Sequence, residues 1–242
     1  MLRVSPPTTR HPGTRAALGM ALLVAAGLAV AATPASAAGP TTSTVTTVTL
    51  AATSHPTLKQ GSRGAAVTTL QRRLTALHYD VGGVDGIFGP STFHAVVAFQ
   101  KVNGLVRDGI VGPRTWAALD HPVVPRPKYT HTSYSLEANL SKQVLYLARG
   151  GSVVRILDAS SGKASTPTPT GNYTIQRRID GWRQSDLGLL WRPNYFYRGY
   201  AVHGATSVPA YPASHGCVRV PIPAMNRLWS VIGVGVPVHI YR

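Results

Sequence analysis

The chemistry of this chain is concentrated in the stretch Ser214-His215-Gly216-Cys217-Val218-Arg219, which contains the single cysteine of its 242 residues. Exported proteins usually pair their cysteines. One cysteine has no partner within its own chain, which leaves an intermolecular bridge or a reactive nucleophile. The thiolate is the attacking species, and a free cysteine, with a pKa of about 8.5, needs a base or a cation beside it to ionise at neutral pH. His203 and His215 are the candidate bases. His203 ends an expected strand and meets Cys217 if their strands are neighbours. His215 is close in sequence, but with Gly216 between them its ring need not face the sulfur. Gly216 lets the backbone approach a substrate with no Cβ in the way. The N–H groups of Gly216 and Cys217 are candidates to hold an oxyanion. Arg219 either pairs bidentately with a substrate carboxylate or holds the loop together. A zinc reading of His203, His215 and Cys217 lacks a second ligand pair and a nearby acid, so neither a metal nor a cofactor is expected. His78, His94 and His239 fall in expected helix or strand and read as structural.

These residues must be positioned by the segment 129–242, which reads mostly as strands. Residues 143–148 and 152–158 are apolar strand candidates joined by Arg149-Gly150-Gly151, a hairpin signal. Residues 133–140 alternate loosely, and 171–179 form a further candidate after a Thr-Pro loop at 165–170. Short strands are expected at 200–203, 217–220 and 236–241. A helix is expected at 223–232, with Met225, Leu228, Trp229 and Ile232 on one face. Many short strands with one helix predict a mainly-β sandwich or barrel.

Ahead of it, residues 57–120 predict a small all-α three-helix domain. Val67, Leu70, Leu74 and Leu77 share one helix face, as do Phe93, Val96 and Val97 in the next helix, and Trp116 sits in a short third. Asp85-Gly86-Ile87-Phe88-Gly89-Pro90-Ser91-Thr92 is echoed by Asp108-Gly109-Ile110-Val111-Gly112-Pro113-Arg114-Thr115. Each copy is a turn followed by a helix start, with proline suited to the first helical position. Asp85 and Asp108 read as turn residues rather than metal ligands, because no calcium-loop spacing surrounds them. Residues 121–128, with Pro122, Pro125 and Pro127, read as a stiff linker that marks a domain boundary.

Residues 1–37 have the layout of a secretory signal peptide. Arg3, Arg10 and Arg15 precede an uncharged apolar run at 16–32, and Ala35-Ser36-Ala37 offers a cleavage site. Residues 38–56 are a Thr-rich linker. The layout predicts export to the extracellular, cell-wall or periplasmic space. The chain carries 24 Lys+Arg against 8 Asp+Glu, which favours anionic partners. The basic residues are scattered, with neither an aromatic-plus-basic RNA signature nor zinc-finger spacing, so nucleic acid is not an expected partner.

Two family resemblances rest on these residues. The 57–120 segment resembles the PG-binding 1 type of peptidoglycan-binding domain. The match is carried by Gly61, Gly64, Val67, Leu70-Gln71, Leu74, Asp85-Gly86, Phe88-Gly89, Thr92, Ala95-Val96, Phe99-Gln100, Gly104-Leu105, Asp108-Gly109, Val111-Gly112 and Thr115-Trp116. It implies attachment to cell-wall glycan or stem peptide. The 129–242 segment resembles the L,D-transpeptidase (YkuD) catalytic domain through Asn139-Leu140-Ser141-Lys142-Gln143, Thr168-Pro169-Thr170-Gly171-Asn172-Tyr173, Val202-His203-Gly204 and the Ser214–Arg219 motif.

This second resemblance implies that Cys217 is the nucleophile, His203 its base, and the Gly204 carbonyl the group that orients the base. Ser214, His215, Gly216 and Arg219 shape the site. The implied reaction forms 3→3 cross-links in peptidoglycan through a cysteine thioester. The donor is a tetrapeptide stem, the acceptor is the diaminopimelate amine of a second stem, and carbapenems are implied covalent inhibitors. The loop between His203 and Ser214 is shorter than is usual in the family and carries Pro209 and Pro212. Three alternatives stay open: an L,D-carboxypeptidase on the same site, a non-catalytic wall-binding protein, and a sortase-like Cys-His-Arg enzyme on a β-barrel.

Overall fold

The computed structural model describes residues 55–242; the expected signal peptide and all but the last two residues of the Thr-rich linker lie outside the described residues. Among the described residues the first elements are helices α1 (Ala65–Ala76), α2 (Pro90–Val102) and α3 (Pro113–Asp120). Pro90 and Pro113 open α2 and α3, where a missing N–H costs no hydrogen bond. The echoed turn phrases share one physical cause. The buried Gln71 side chain donates to Asp85 Oδ1 (2.8 Å) and Ile87 O (3.0 Å) and accepts from Gly86 N–H (2.8 Å). Gln100 repeats this set on Asp108 Oδ1 (2.8 Å), Ile110 O (3.0 Å) and Gly109 N–H (2.9 Å). Each turn is therefore threaded onto one buried amide, and both aspartates are turn residues.

Ten strands and one helix follow. They are β1 (Ser135–Asn139), β2 (Val144–Arg149), β3 (Ser152–Asp158), β4 (Gly171–Thr174), β5 (Arg177–Arg178), β6 (Trp182–Ser185), β7 (Gly188–Tyr197), β8 (Tyr200–Ala205), β9 (Val218–Pro221), α4 (Ile222–Trp229) and β10 (Pro237–Tyr241). One sheet has the order β3-β2-β1-β10-β4, with β1 and β10 parallel. The second has the order β5-β7-β8-β9, with β6 paired to β7 and with β8 and β9 parallel. The helical-then-mainly-β architecture follows the sequence expectation. Within it, the expected 171–179 strand breaks into β4 and β5, and β6–β7 is a hairpin that the sequence reading left unassigned. His78 lies beyond the end of α1 at φ 67, not within a helix.

Strand β2 shows why its sequence is a continuous apolar run. Val144 and Tyr146 join a core with Leu70, Phe99 and Ile156, whereas Leu145 and Leu147 join another with Phe196, Val218 and Met225. Successive side chains point to opposite faces, and here both faces are covered, one by the helices and the other by the second sheet with α4. Burying each such side chain contributes roughly 1.5–3 kcal/mol. The Pro-rich segment thus connects two parts that share a core. His78–Asp80 also joins the edge of β3, with Ile156 N–H donating to His78 O (2.8 Å) and Asp80 N–H to Ile156 O (3.1 Å).

Candidate active site

The parallel pairing of β8 with β9 sets His203 opposite Arg219 and Val202 opposite Val218. Cys217, which precedes β9, therefore falls on the same sheet face as His203, one diagonal step along. Such diagonal positions lie about 7–8 Å apart and remain within reach of long or aromatic side chains. The structure brings both residues to one cavity of ≈ 700 Å³, which is also lined by Ser214, His215 and Arg219.

His203 is 4% exposed. Its Nδ1–H donates to Gly204 O at 2.9 Å, which leaves Nε2 as the atom with a free lone pair. Burial pushes its pKa down to about 4, opposed by the Gly204 hydrogen bond and assisted by Arg219. Burial likewise pushes the Cys217 thiol up, opposed by a backbone hydrogen bond from Ala201 and by Arg219. The resting pair is therefore a neutral thiol and a neutral imidazole, because the low-dielectric surroundings disfavour both charged forms.

The turn carrying Cys217 is held from within. Ser214, which is buried, donates from Oγ to Cys217 O at 2.6 Å and accepts from Gly216 N–H at 3.0 Å. The Gly216 N–H is thus engaged, and of the two donors expected for an oxyanion only that of Cys217 stays a candidate. Gly216 sits at φ 113, and a Cβ there would lie 2.3 Å from Tyr200 Cε1, so both conformation and contact require glycine. Gly204 packs where a Cβ would lie 2.9 Å from Trp191 Cδ1. His215 is exposed at the cavity wall, whereas His203 is buried. Arg219 exchanges two backbone hydrogen bonds with Ser160 (2.9 and 3.0 Å), and its guanidinium makes no ion pair with an acid among the described residues.

Sequence reasoning missed the wall opposite. The β6–β7 hairpin and its flanks bring Arg177, Arg183, Asp186, Leu187, Leu189 and Tyr195 to the cavity. The available signal was Ser185-Asp186-Leu187-Gly188, turn residues between two tryptophan-bearing runs. With Arg177, Arg183 and Arg219 against Asp186 alone, the lining is basic and suits a substrate rich in carboxylates. Among the described residues, no group of three or more His, Cys, Asp or Glu side chains is gathered closely enough to hold a metal ion.

Two family models match the chain: a peptidoglycan binding domain over residues 63–119 and an L,D-transpeptidase catalytic domain over 133–240. A solved L,D-transpeptidase from Xylanimonas cellulosilytica is 44% identical, with a TM-score of 0.72, and the match covers 78% of this chain and 98% of that one. An uncharacterized protein of Kitasatospora aureofaciens is 47% identical over 107 residues, which are 44% of this chain and 89% of that protein. The zinc D-Ala-D-Ala carboxypeptidase of Streptomyces albus G is 47% identical over 64 residues, which are 25% of this chain and 24% of that enzyme.

Proposed function

The chain belongs to the L,D-transpeptidase (YkuD) family of enzymes acting on peptidoglycan, and from that premise we propose that it is an exported enzyme forming 3→3 cross-links through an acyl-enzyme on Cys217. The observation that carries the reading is the placement of Cys217 and His203 on one sheet face at one cavity, with Nδ1–H of His203 committed to Gly204 O. Nε2 is then free to accept the Sγ proton as sulfur attacks. The attacked carbonyl is that of the third residue of a tetrapeptide stem. A neutral pair avoids stabilising a buried ion pair before substrate binds, and charge develops only as the bond forms.

The Cys217 N–H faces the developing oxyanion, a contribution worth roughly 3–4 kcal/mol where single donors have been removed from comparable sites. Collapse breaks the bond to D-Ala, whose amine takes the proton back from His203. The diaminopimelate amine of a second stem then attacks the thioester, gives a proton to His203, and releases the thiol. Arg177, Arg183 and Arg219 supply cations for the stem carboxylates. The helical part, residues 57–120, is the attachment to wall glycan, and residues 1–37 direct export, with 129–242 as the catalytic domain.

The test is mass spectrometry of products after incubation with a disaccharide-tetrapeptide containing diaminopimelate. A 3→3 dimer that disappears in Cys217→Ala is the expected result. A tripeptide without dimer would replace transpeptidation by L,D-carboxypeptidase activity, and unchanged substrate would leave a wall-binding protein.

A further inference from the structure

A buried lysine of the helical part sits at the head of the hydrogen bonds that hold the Cys217 turn. The Lys101 side chain, on α2, is 0% exposed. Lysine is almost never fully buried unless paired. Its Nζ donates to Asp158 Oδ1 (2.5 Å), Ala159 O (2.8 Å) and Gln143 O (2.9 Å), which uses all three of its protons. Asp158 takes a second contact on Oδ2 from His94 Nδ1 (2.7 Å). All of Lys101's partners therefore belong to the β part.

From these partners the bonds run directly to the turn. Gln143, at φ 60, donates from Nε2 to Ser161 Oγ (2.7 Å) and accepts on Oε1 from Ser161 N–H (2.8 Å). Ser161 O accepts from both Ala213 and Ser214 N–H, each at 2.9 Å. Ser160 exchanges two bonds with Arg219 and donates from Oγ to Tyr211 O (2.7 Å). At Gly162 a Cβ would lie 2.9 Å from Gly216 Cα, so the strip and the turn are in direct contact. Segment 158–163 is thus the floor beneath 211–219, and Lys101 clamps the point where that floor leaves β3. Two further contacts cross the same boundary: Lys142 Nζ to Val102 O (2.7 Å), and Arg107 Nη1 to Ala210 O (3.1 Å) on the loop that enters the turn.

We propose that Lys101 is a positioning residue for the Cys217 turn, acting through Ala159, Gln143 and the 158–163 strip, so that the helical part completes the catalytic site as well as lying beside it. The consequence for turnover rests on the reading of Cys217 as nucleophile; the consequence for the turn's order does not. A buried ion pair is weak evidence of a stability role, because an uncharged pair of similar volume often serves as well. Its three fixed backbone and carboxylate contacts supply orientation instead.

Lys101→Met alone leaves the Asp158 carboxylate buried without its cation, so the test uses K101M/D158N, in which both charges go together. The full chain is compared with wild type in thermal melting, in amide hydrogen exchange, and in steady-state turnover of the disaccharide-tetrapeptide, with Cys217→Ala as control. The expected outcome is a melting temperature lowered only modestly, by the loss of the donor to Ala159 O, and exchange about tenfold faster in 211–219 but not in β10. It includes kcat lowered about tenfold at unchanged KM, as befits a small misplacement of a reacting group. Wild-type exchange in 211–219 overturns the proposal, and so does faster exchange spread equally over β10. Undiminished turnover by Cys217→Ala would sink the nucleophile reading instead, while the exchange data would still decide the role of Lys101.

Discussion

Replacing His203 by Asn should remove a specific part of the protein's acid sensitivity. The imidazole is pushed from 6.5 down to about 4, chiefly by burial. A histidine held below its unfolded pKa stabilises the fold fully above pH 6.5, and that contribution is lost as pH falls through about 4. At 4% exposure little solvent screening applies. At about 1.4 kcal/mol per pH unit, the displacement amounts to a loss of roughly 3 kcal/mol between neutral pH and about pH 4. Asn does not titrate and keeps an amide donor near the position from which Nδ1–H reaches Gly204 O. Urea unfolding of wild type and His203→Asn near neutral pH and near pH 4 isolates the difference, because carboxylates titrate alike in both. The variant should lose roughly 3 kcal/mol less than wild type over that interval. Equal losses would show that His203 is not held neutral by burial, and the neutral-pair account would fall with it.

Three further expectations follow from the same geometry. The acid limb of kcat/KM should lie near pH 4, where His203 becomes protonated; a limb near 6.5 would mean an ordinary, solvated imidazole. Gly216→Ala places a Cβ at φ 113 against the Tyr200 ring. It should cost about 1–3 kcal/mol in stability and about a hundredfold in turnover by displacing the cysteine turn, so wild-type turnover would contradict the account of that turn. Gln71→Ala strips the first turn phrase of its amide and leaves the Asp85 and Gly86 N–H groups without an acceptor. It should destabilise the protein by roughly 1–3 kcal/mol, and a denaturant midpoint equal to wild type would contradict that role.

The parts of the molecule legible in its sequence are those where one physical rule dominates. Pro90 and Pro113 announced helix starts. The Gly150–Gly151 pair announced the β2–β3 hairpin, in which both glycines adopt positive φ. The approach of Cys217 to His203 was legible only on the condition that their strands are neighbours, and the parallel β8–β9 register meets that condition. The β6–β7 hairpin was not legible. Of its side chains Trp182, Leu187 and Leu189 are exposed, so burial imposes no clear alternation on it. Nor was the shared core. The continuous run of β2 can mean a strand covered on both faces, but no local pattern says that Leu70 and Phe99 supply one of the covers. Lys101 illustrates the same limit, since its charge suits a helix surface and only tertiary packing buries it against Asp158.

The central claim is that Cys217 forms a thioester with the donor stem. It is tested most directly by intact-protein mass spectrometry with peptide mapping after brief exposure to the tetrapeptide donor without an acceptor. The expected adduct equals the donor less D-Ala, is located on the peptide containing Cys217, and is absent from Cys217→Ala. An adduct on any other residue, or undiminished product formation by Cys217→Ala, would contradict it.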